Sequence, residues 1–432
     1  MSLKKKIIFK APLLTRSGYG EQSRFALRAL RSRPDLFDIY IQPLTWGATS
    51  WIYTDDEERR FIDNAIEKTV AYVQGANQRA DLSAPVFDIS FQVTIPNEWE
   101  QLAPINIGYT AGIETTKVSA EWIQQAESVN KIIATSNHSR DTYRNTSWQA
   151  QHKVTGQVVD IEYPHGTPIH TVNYPAKKFE KLPDLGIDFE YDINFLTVAQ
   201  WGPRKNLGNT ISWFIQEFMD EEVGLVVKSN MAKNCHMDRV GVETQLKDLL
   251  KQYPDRKCKV YLLHGDLEDD EMHSLYSHPK ISALLHLAHG EGFGLPLFEA
   301  SYTGLPVIAT GWSGQLDFLV DETGKDRFYN VSYDLNPVPP EVVWDGVLVK
   351  ESLWAYPRAQ SAKHQMRACY EDITNKTEGS IALDACNFAK EVQERFSQEK
   401  QYAAMVEPLL EYFKTEDEER WQGVLNQVVE YE

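Results

Sequence analysis

The sequence lacks the features of secreted, disulfide-stabilised and membrane-spanning proteins. Its 432 residues include only four cysteines, far apart and without the paired spacing of a disulfide framework or a zinc site. No apolar run approaches the roughly 18 residues that a membrane-spanning helix needs. The opening MSLKKKIIFKAP has too short an apolar centre for a secretory signal. These absences predict a cytoplasmic protein with reduced thiols and no stable membrane insertion.

Positive charge is also scarce. The chain has 44 Lys and Arg residues against 62 Asp and Glu residues, which gives a formal net charge of −18 at pH 7. An acidic surface repels phosphate backbones and anionic lipid heads, so either partner would need a local basic patch. One basic run, Lys4 to Lys6, is interpreted as the flank of a strand. Nucleic acid is therefore expected only as an acceptor substrate.

Short apolar runs alternate with helical stretches along the chain, in two series. The first series is IIF, VFDISFQV, INIGYT and KIIATS, and the second is FLTVAQ, VGLVVKS, KVYLLHG, ISALLHL and PVIATG. Alternation of this kind predicts parallel βαβ units whose sheet is covered on both faces. The sequence therefore predicts an α/β protein with two Rossmann-like, doubly wound domains that face each other across a cleft.

A polar stretch with prolines and a glycine, YPAKKFEKLPDLGIDFEYD, separates the two series. It predicts an N-terminal domain over residues 1–180 and a C-terminal domain over residues 181–385. Residues 386–432 are predicted to form a helical segment that packs back on the N-terminal domain. The region from Asp321 to Pro357 has little periodicity and is interpreted as an irregular insertion.

The most informative segment is HGEGFGLPLFEASYTGLPVIAT, residues 289–310. Glycines at 290, 292 and 294 allow the backbone to approach a ligand closely. A helix is predicted to start near Leu295-Pro296 and to end at Gly304. A glycine-rich turn that leads into a helix N-terminus suits a diphosphate, because backbone donors and the positive end of the helix dipole both point at it.

Two glutamates in this segment lie eight residues apart, Glu291 in the loop and Glu299 in the predicted first turn of the helix. The pattern G-E-G-F-G-L-x-x-x-E-A-x-x-x-G-x-P-V-I-A closely resembles the E-x7-E signature of the retaining GT-B glycosyltransferases of family 4, the glycosyl transferases group 1. A second stretch, TVAQWGPRKNL, resembles the family's R-K-N-like loop that holds the donor pyrophosphate. Unlike many members of that family, this chain has Ala199-Gln200 where a further basic residue stands.

The first half carries two further similarities. The stretch GYTAGIETT, then Trp122 and IIATSNHSRDTYR, is similar to the acceptor-side motifs of the family, and the turn Ser17 to Gly20 matches its glycine loop. Ser136 and Ser139 can equally be helix caps. Many members also place a histidine after a strand near the donor sugar, whereas FDISFQVTIPNEW has none, and Gln92 is its nearest polar candidate.

The resemblance implies a retaining glycosyltransferase that moves a sugar from a UDP- or GDP-linked donor to a hydroxyl acceptor, without a metal or other cofactor. The implied catalytic residues are Glu291, Arg204 and Lys205. The implied donor-binding residues are Gly18, Gly20, Arg204, Lys205, His264, Gly265, Glu291, Gly292, Phe293, Gly294, Leu295 and Glu299. The implied acceptor-side residues are Gln92, Tyr109, Glu114, Ser136 and Arg140.

In this interpretation Arg204 and Lys205 stabilise the leaving diphosphate, Glu291 orients the sugar hydroxyls, and Glu299 holds the ribose. The end of the strand at His264-Gly265 contacts the base.

Glycoconjugate or polysaccharide synthesis is the expected setting, and a hydroxymethylated DNA base is the alternative acceptor. A non-catalytic scaffold that binds nucleotide or sugar is the alternative from another class, and inversion is the alternative chemistry. The motifs do not specify the acceptor, the donor sugar, the base or the oligomeric state.

Overall fold

The computed structural model describes residues 4–77, 86–151, 156–164 and 166–413. The strands of the first half are β1 (Lys5–Ala11), β2 (Phe37–Pro43), β3 (Ile89–Val93), β4 (Ile105–Thr110), β5 (Lys131–Ala134), β6 (Ser147–Gln151), β7 (Val158–Glu162) and β8 (Ile169–Thr171). Its helices are α1 (Gly18–Arg31), α2 (Glu57–Asn77), α3 (Ala120–Gln125) and α4 (Asn137–Asn145).

The second half has the same alternation of strands and helices. Its strands are β9 (Asn194–Val198), β10 (Gly224–Lys228), β11 (Lys259–Leu263), β12 (Ile281–His286), β13 (Val307–Thr310), β14 (Tyr329–Val331), β15 (Tyr333–Pro337) and β16 (Leu353–Pro357). Its helices are α5 (Leu207–Glu217), α6 (His236–Leu250), α7 (Asp269–Tyr276), α8 (Leu295–Thr303), α9 (Leu316–Leu319), α10 (Ala359–Asn375), α11 (Ile381–Arg395) and α12 (Gln398–Leu410).

Two six-stranded sheets organise these elements. Their orders are β2-β1-β3-β4-β5-β8 and β11-β10-β9-β12-β13-β14, and the strand pairs in both are parallel. In each sheet the chain first adds strands on one side of β1 or β9 and then on the other side. This change of direction creates a crevice at the carboxyl ends of β1 and β3 in one sheet and of β9 and β12 in the other. The predicted α/β class and the two doubly wound domains are confirmed.

Apolar side chains on both faces of the central strands explain why these segments form buried strands. In β1, Ile7 and Phe9 lie in one buried apolar cluster, while Ile8, on the opposite face of the strand, lies in another. In the second sheet Phe195 of β9 packs against Phe214 of α5. Strands that are buried on both faces have nearly continuous apolar sequences, so these strands could be predicted from the sequence.

The chain crosses between the two domains twice, and the crossings lie side by side. The first crossing runs from Thr171 to Asn194, and the second follows α11. Ala176 N donates a hydrogen bond to Phe396 O at 2.8 Å and so joins the two crossings. After the second crossing α12 packs against α1 of the first domain. The proposed domain boundary at 180/181 lies within the first crossing, and residues 414–432 of the proposed C-terminal segment lie outside the described residues.

The prediction of an irregular insertion between Asp321 and Pro357 is wrong. Three residues of that region form β14, the sixth strand of the second sheet, and β15 pairs with β16 in an antiparallel hairpin. A strand of three residues is too short to show a period, and β15 is largely exposed, so its sequence is polar. The hairpin also reaches the first domain, because Thr116 N donates to Leu353 O at 3.2 Å.

Candidate active site

The loops after β9 and β12 meet at the crevice of the second sheet. The β9 loop contains a short 3-10 turn at Pro203–Lys205, and Asn206 follows with a left-handed backbone, φ 55°. Asn206 Nδ2 donates to Leu287 O at 3.0 Å, and His289 N donates to Arg204 O at 2.9 Å. Backbone and side-chain bonds therefore fix the two predicted cations beside the glycine-rich loop.

A buried ion cluster lies where these loops meet, and Glu291 is its centre. The Glu291 carboxylate accepts from Lys205 Nζ at 2.5 Å, from Arg204 Nη1 at 3.1 Å and from His286 Nε2 at 2.8 Å. Burial by itself would raise the pKa of Glu291, but Lys205 and Arg204 hold that pKa well below its ordinary value. Glu291 is therefore a carboxylate at neutral pH.

Burial lowers the pKa of His286 below its ordinary value. At neutral pH the ring is therefore uncharged, and its Nε2–H donates to Glu291. Burial also lowers the pKa of Lys205, and the neighbouring Arg204 lowers it further. The cluster thus holds two closely spaced, half-buried cations, which is an electrostatic setting that stabilises an anionic leaving group.

The first domain completes the cluster through Glu114. Arg204 Nη2 lies 3.2 Å from Glu114 Oε1, and Arg204 Nη1 also donates to Gly290 O at 2.6 Å. Two carboxylates therefore balance the charges of Arg204 and Lys205. A diphosphate that approaches these cations must compete with Glu114 for the guanidinium group.

The glycines at 290 and 292 allow the 290–294 loop to lie in close contact with the first domain. A Cβ atom on Gly290 would lie 2.4 Å from Glu114 O, and one on Gly292 would lie 2.4 Å from Ala111 O. Gly294 has φ 95° and immediately precedes α8, which has proline in its first turn and ends at the left-handed Gly304. The predicted start and end of this helix are confirmed, and the close approach that the glycines allow is to the first domain.

Phe293 and Leu295 of this loop pack into the interior. The Phe293 ring contacts Tyr174 of the first crossing at 5.0 Å and Phe298 of α8 at 5.1 Å, measured between ring centroids. Leu295 is partly buried against the same apolar cluster. The side chains of these two predicted donor-binding residues therefore hold the loop in place, and their backbone remains the group that can meet a donor.

Glu299 lies in the second turn of α8, so its predicted place in the first turn is wrong by one turn. The helix begins at Leu295 because Gly294 supplies the left-handed residue that starts it. Tyr276 Oη donates to Glu299 Oε2 at 2.9 Å. Burial raises the pKa of Glu299 to about 7, although Lys177 nearby opposes this shift. Lys177 itself bridges Glu21 at 2.8 Å and Asp269 at 2.7 Å.

The glycine loop of the first domain lies against the second domain. Ser17 caps α1 by accepting from Gly20 N at 2.9 Å, and a Cβ atom on Gly20 would lie 2.0 Å from Thr15 O. Gly18 has open space around its Cα atom. Arg16 of the same loop forms an ion pair with Glu268 at the start of α7. This N-terminus of α1 therefore faces the other domain across the cleft.

The end of β11 is held by side chains of its own domain. His264 Nε2 and Asp238 Oδ1 lie 2.8 Å apart. Gly265 has φ 113°, which favours glycine, and its carbonyl oxygen accepts from Lys228 Nζ. The contact of His264 and Gly265 with a donor base stays a prediction.

Of the five predicted acceptor-side residues, Glu114 reaches the ion cluster. Gln92 is fully buried, and its amide group donates to Glu100 O at 2.6 Å and accepts from Glu100 N at 3.0 Å. Gln92 therefore does not line the cleft, because its polar atoms hold a loop of its own domain. Tyr109 is also fully buried, with its hydroxyl group unpaired.

The remaining two acceptor-side residues belong to α4. Ser136 is its N-cap and accepts from Ser139 N at 3.2 Å, so the alternative interpretation of Ser136 as a helix cap is confirmed. Arg140 pairs with the adjacent Asp141 at 2.8 Å. Neither residue contacts Glu291 or its cations.

Three residues that shape the site were not predicted from the sequence. His286 is the polar last residue of the apolar run ISALLH, and that position at a strand end was an available signal. Ser313 accepts from Glu291 N at 2.9 Å, and Asp317 accepts from Asn137 N of the first domain at 2.9 Å. Nothing in the local sequence marks these last two, because both act through contacts with distant loops.

Within the described part of the chain, no group of three or more His, Cys, Asp and Glu residues is arranged to hold a metal ion. In the same residues, no helix is both long and apolar enough to cross a bilayer.

The fold and the site together define the class as the GT-B architecture. A sucrose-phosphate synthase from Thermosynechococcus elongatus superposes with a TM-score of 0.58 at 14% identity, over 95% of this chain and 99% of that one. The Anabaena protein Alr3699/HepE in complex with UDP and glucose gives 0.56 at 13% identity, over 94% and 100%. At these identities the likeness shows the fold, which confirms the predicted GT-B arrangement.

Sequence comparison extends the likeness to a family. Residues 193–328 match the profile of the glycosyl transferases group 1, which confirms the resemblance over the segment that carries Arg204, Lys205, Glu291 and Glu299. The serotype-specific mannosyltransferase WbdA of Escherichia coli is 29% identical over 119 residues, or 27% of this chain. The chain spans only 13% of the length of that relative.

Proposed function

We propose that the protein is a retaining glycosyltransferase that transfers a sugar from a nucleoside-diphosphate sugar to a hydroxyl acceptor, in glycoconjugate or polysaccharide synthesis, without a metal ion. The observation that carries this proposal is the buried cluster of Glu291 with Lys205 and Arg204 at the crevice of the second sheet. The family profile matches the same residues. All four cysteines are free thiols, which supports a reducing compartment such as the cytoplasm.

The chemistry follows from the charges in this cluster. The bond between the anomeric carbon and the diphosphate oxygen breaks, and the acceptor oxygen forms a bond to the same face of that carbon. Arg204 and Lys205 stabilise the negative charge that develops on the leaving oxygen. That oxygen takes the proton of the acceptor hydroxyl, so the protein supplies no strong base. Glu291 and the backbone of the 290–294 loop orient the sugar.

Donor binding also fits the balance of charge. Glu114 and Glu291 together balance the charges of both cations. A bound diphosphate supplies the negative charge that Glu114 provides in this arrangement, and the half-buried guanidinium and ammonium groups replace the charge of a metal ion. The proposal of metal independence rests on this pair of cations.

The test is a screen of UDP- and GDP-sugars by thermal shift and by slow donor hydrolysis, each with and without EDTA. We expect one donor to stabilise the protein and to be hydrolysed equally in both conditions. K205M should reduce hydrolysis by roughly 100-fold or more. The matched control is K257M, because Lys257 forms an exposed ion pair with Glu222.

Loss of activity on chelation would refute metal independence. Failure of every nucleotide and nucleotide sugar to shift the melting temperature would refute the transferase proposal, whereas a shift without hydrolysis of any donor would favour a non-catalytic scaffold. Analysis of the anomeric configuration of the product by NMR decides between retention and inversion.

A further inference from the structure

Strained backbone is concentrated beside Glu291. Among the described residues, three that are not glycine have a left-handed backbone: Asn206 with φ 55°, Ser313 with φ 79° and Lys376 with φ 51°. Lys376 ends α10, where left-handed residues are common. Asn206 and Ser313 lie instead in the loops on either side of the 290–294 loop. A left-handed residue with a Cβ atom costs free energy, and such costs are retained where geometry serves function.

Ser313 makes the side-chain contact to the backbone of Glu291. Its hydroxyl accepts from Glu291 N at 2.9 Å and donates to Gln315 Oε1 at 2.9 Å. Gln315 Nε2 in turn donates to Thr310 O at 2.9 Å, at the end of β13. The hydroxyl therefore links the catalytic loop to a strand of the sheet through a chain of buried hydrogen bonds.

The next residue binds the other backbone polar group of Glu291. Gly314 N donates to Glu291 O at 3.0 Å, and a Cβ atom on Gly314 would lie 2.1 Å from Gly292 O. Both backbone polar groups of Glu291 are thus bonded to the 313–314 turn. The left-handed conformation of Ser313 directs both its hydroxyl group and the N–H of Gly314 at the backbone of Glu291.

Glycine would adopt this conformation without strain, but it offers no hydroxyl group. Alanine would keep the strain and also lose the hydroxyl. Serine is short enough to bond the adjacent loop, and its single oxygen both accepts and donates. The strain is therefore the cost of holding a hydroxyl group at this point.

We propose that Ser313 is a positioning residue, which fixes the Glu291 backbone so that its carboxylate meets Lys205 and Arg204 before the donor binds. The inference rests on the proposed transferase function for its catalytic consequence. Its structural consequence, a loop held in one arrangement, can be measured without any donor.

The experiment compares S313G and S313A with wild type. K376G serves as the control, because it places glycine at a left-handed position that ends α10 and belongs to none of the loops around Glu291. We expect S313G to melt at a higher temperature than S313A, since only the glycine relieves the strain. Both variants should lose at least roughly tenfold in kcat while the donor KM changes by less than about threefold. K376G should keep the wild-type kcat.

Hydrogen exchange by mass spectrometry separates this inference from the proposed function. In donor-free protein, S313G should raise the exchange rate of the peptide that covers residues 290–294 at least roughly tenfold, and K376G should leave it unchanged. Unchanged exchange in S313G would overturn the inference, as would a wild-type kcat in that variant. If wild type acts on no donor while the exchange behaves as expected, the transferase proposal fails and the positioning role stands.

Discussion

Glu114 brings a carboxylate of the first domain to Arg204, one of the two proposed catalytic cations. Its carboxylate lies 3.2 Å from Arg204 Nη2, where the donor diphosphate binds in the proposed mechanism. We expect E114Q to bind free UDP or GDP more tightly, by roughly three- to tenfold, because the competing charge is gone. Isothermal titration calorimetry measures this, with E100Q as the control, since Glu100 pairs with Lys10 elsewhere in the first domain. Weaker binding by E114Q would show that Glu114 contributes to the donor site directly.

The ionisation of Glu299 is expected to make the stability of the folded protein depend on pH. Burial raises its pKa from 4.5 to about 7, so the folded chain retains a proton that the unfolded chain releases between these values. The resulting stabilisation is fully present below pH 4.5 and is lost as the pH rises through about 7. E299Q stays neutral throughout, and Tyr276 can still donate to its amide oxygen. The melting temperature of E299Q should therefore rise relative to wild type between pH 5 and pH 8.

The control for this experiment is E222Q, which changes an exposed carboxylate that pairs with Lys257. E222Q should keep a constant difference from wild type across the same range. A constant difference for E299Q as well would mean that Glu299 ionises normally in the folded state.

At the scale of elements, the 290–294 loop and the strand ends of the first domain fit together without room for a side chain. A Cβ atom on Gly292 would lie 2.4 Å from Ala111 O, which is a backbone atom and cannot rotate away. We expect G292A to fold with a melting temperature near that of wild type but to lose roughly 100-fold or more in activity, because the loops separate. G208A is the control, since a Cβ atom on Gly208 meets nothing within 4 Å. Wild-type activity in G292A would contradict this account.

The elements also show what the sequence could and could not predict. Arg204, Lys205 and Glu291 follow adjacent parallel strands, so the strand pattern and the motif together predicted that they meet. The burial of Gln92 and the pairing of Glu114 with Arg204 were not predictable, because they depend on contacts between distant loops. The left-handed Ser313 carries no local signal, since serine is common in ordinary turns. The strand β14 was missed because three residues show no period.

At the scale of the whole molecule, α12 joins the two domains into one apolar core. Met405 is fully buried in a cluster that includes Phe25 of the first domain and Phe298 of the second. M405A should lower the free energy of unfolding by about 2–4 kcal/mol, because it leaves a cavity in that core. Urea denaturation measures this. The control is M237A, where the methionine is 84% exposed and the change should stay within about 0.5 kcal/mol. An equal effect of both variants would show that α12 adds little to the core.

The two chain crossings determine how such a molecule can open. Because Ala176 and Phe396 are hydrogen-bonded where the chain passes between the domains, both covalent connections run through nearly one point. Rotation of one domain relative to the other therefore has its axis near that point, and the displacement of any atom grows with its distance from the axis. We expect the ion pair of Arg16 with Glu268 and the bond of Thr116 with Leu353 to break in an opened state, while the Ala176–Phe396 bond persists. Substrate exchange then requires a swing of the distant loops, with the core around the axis left intact.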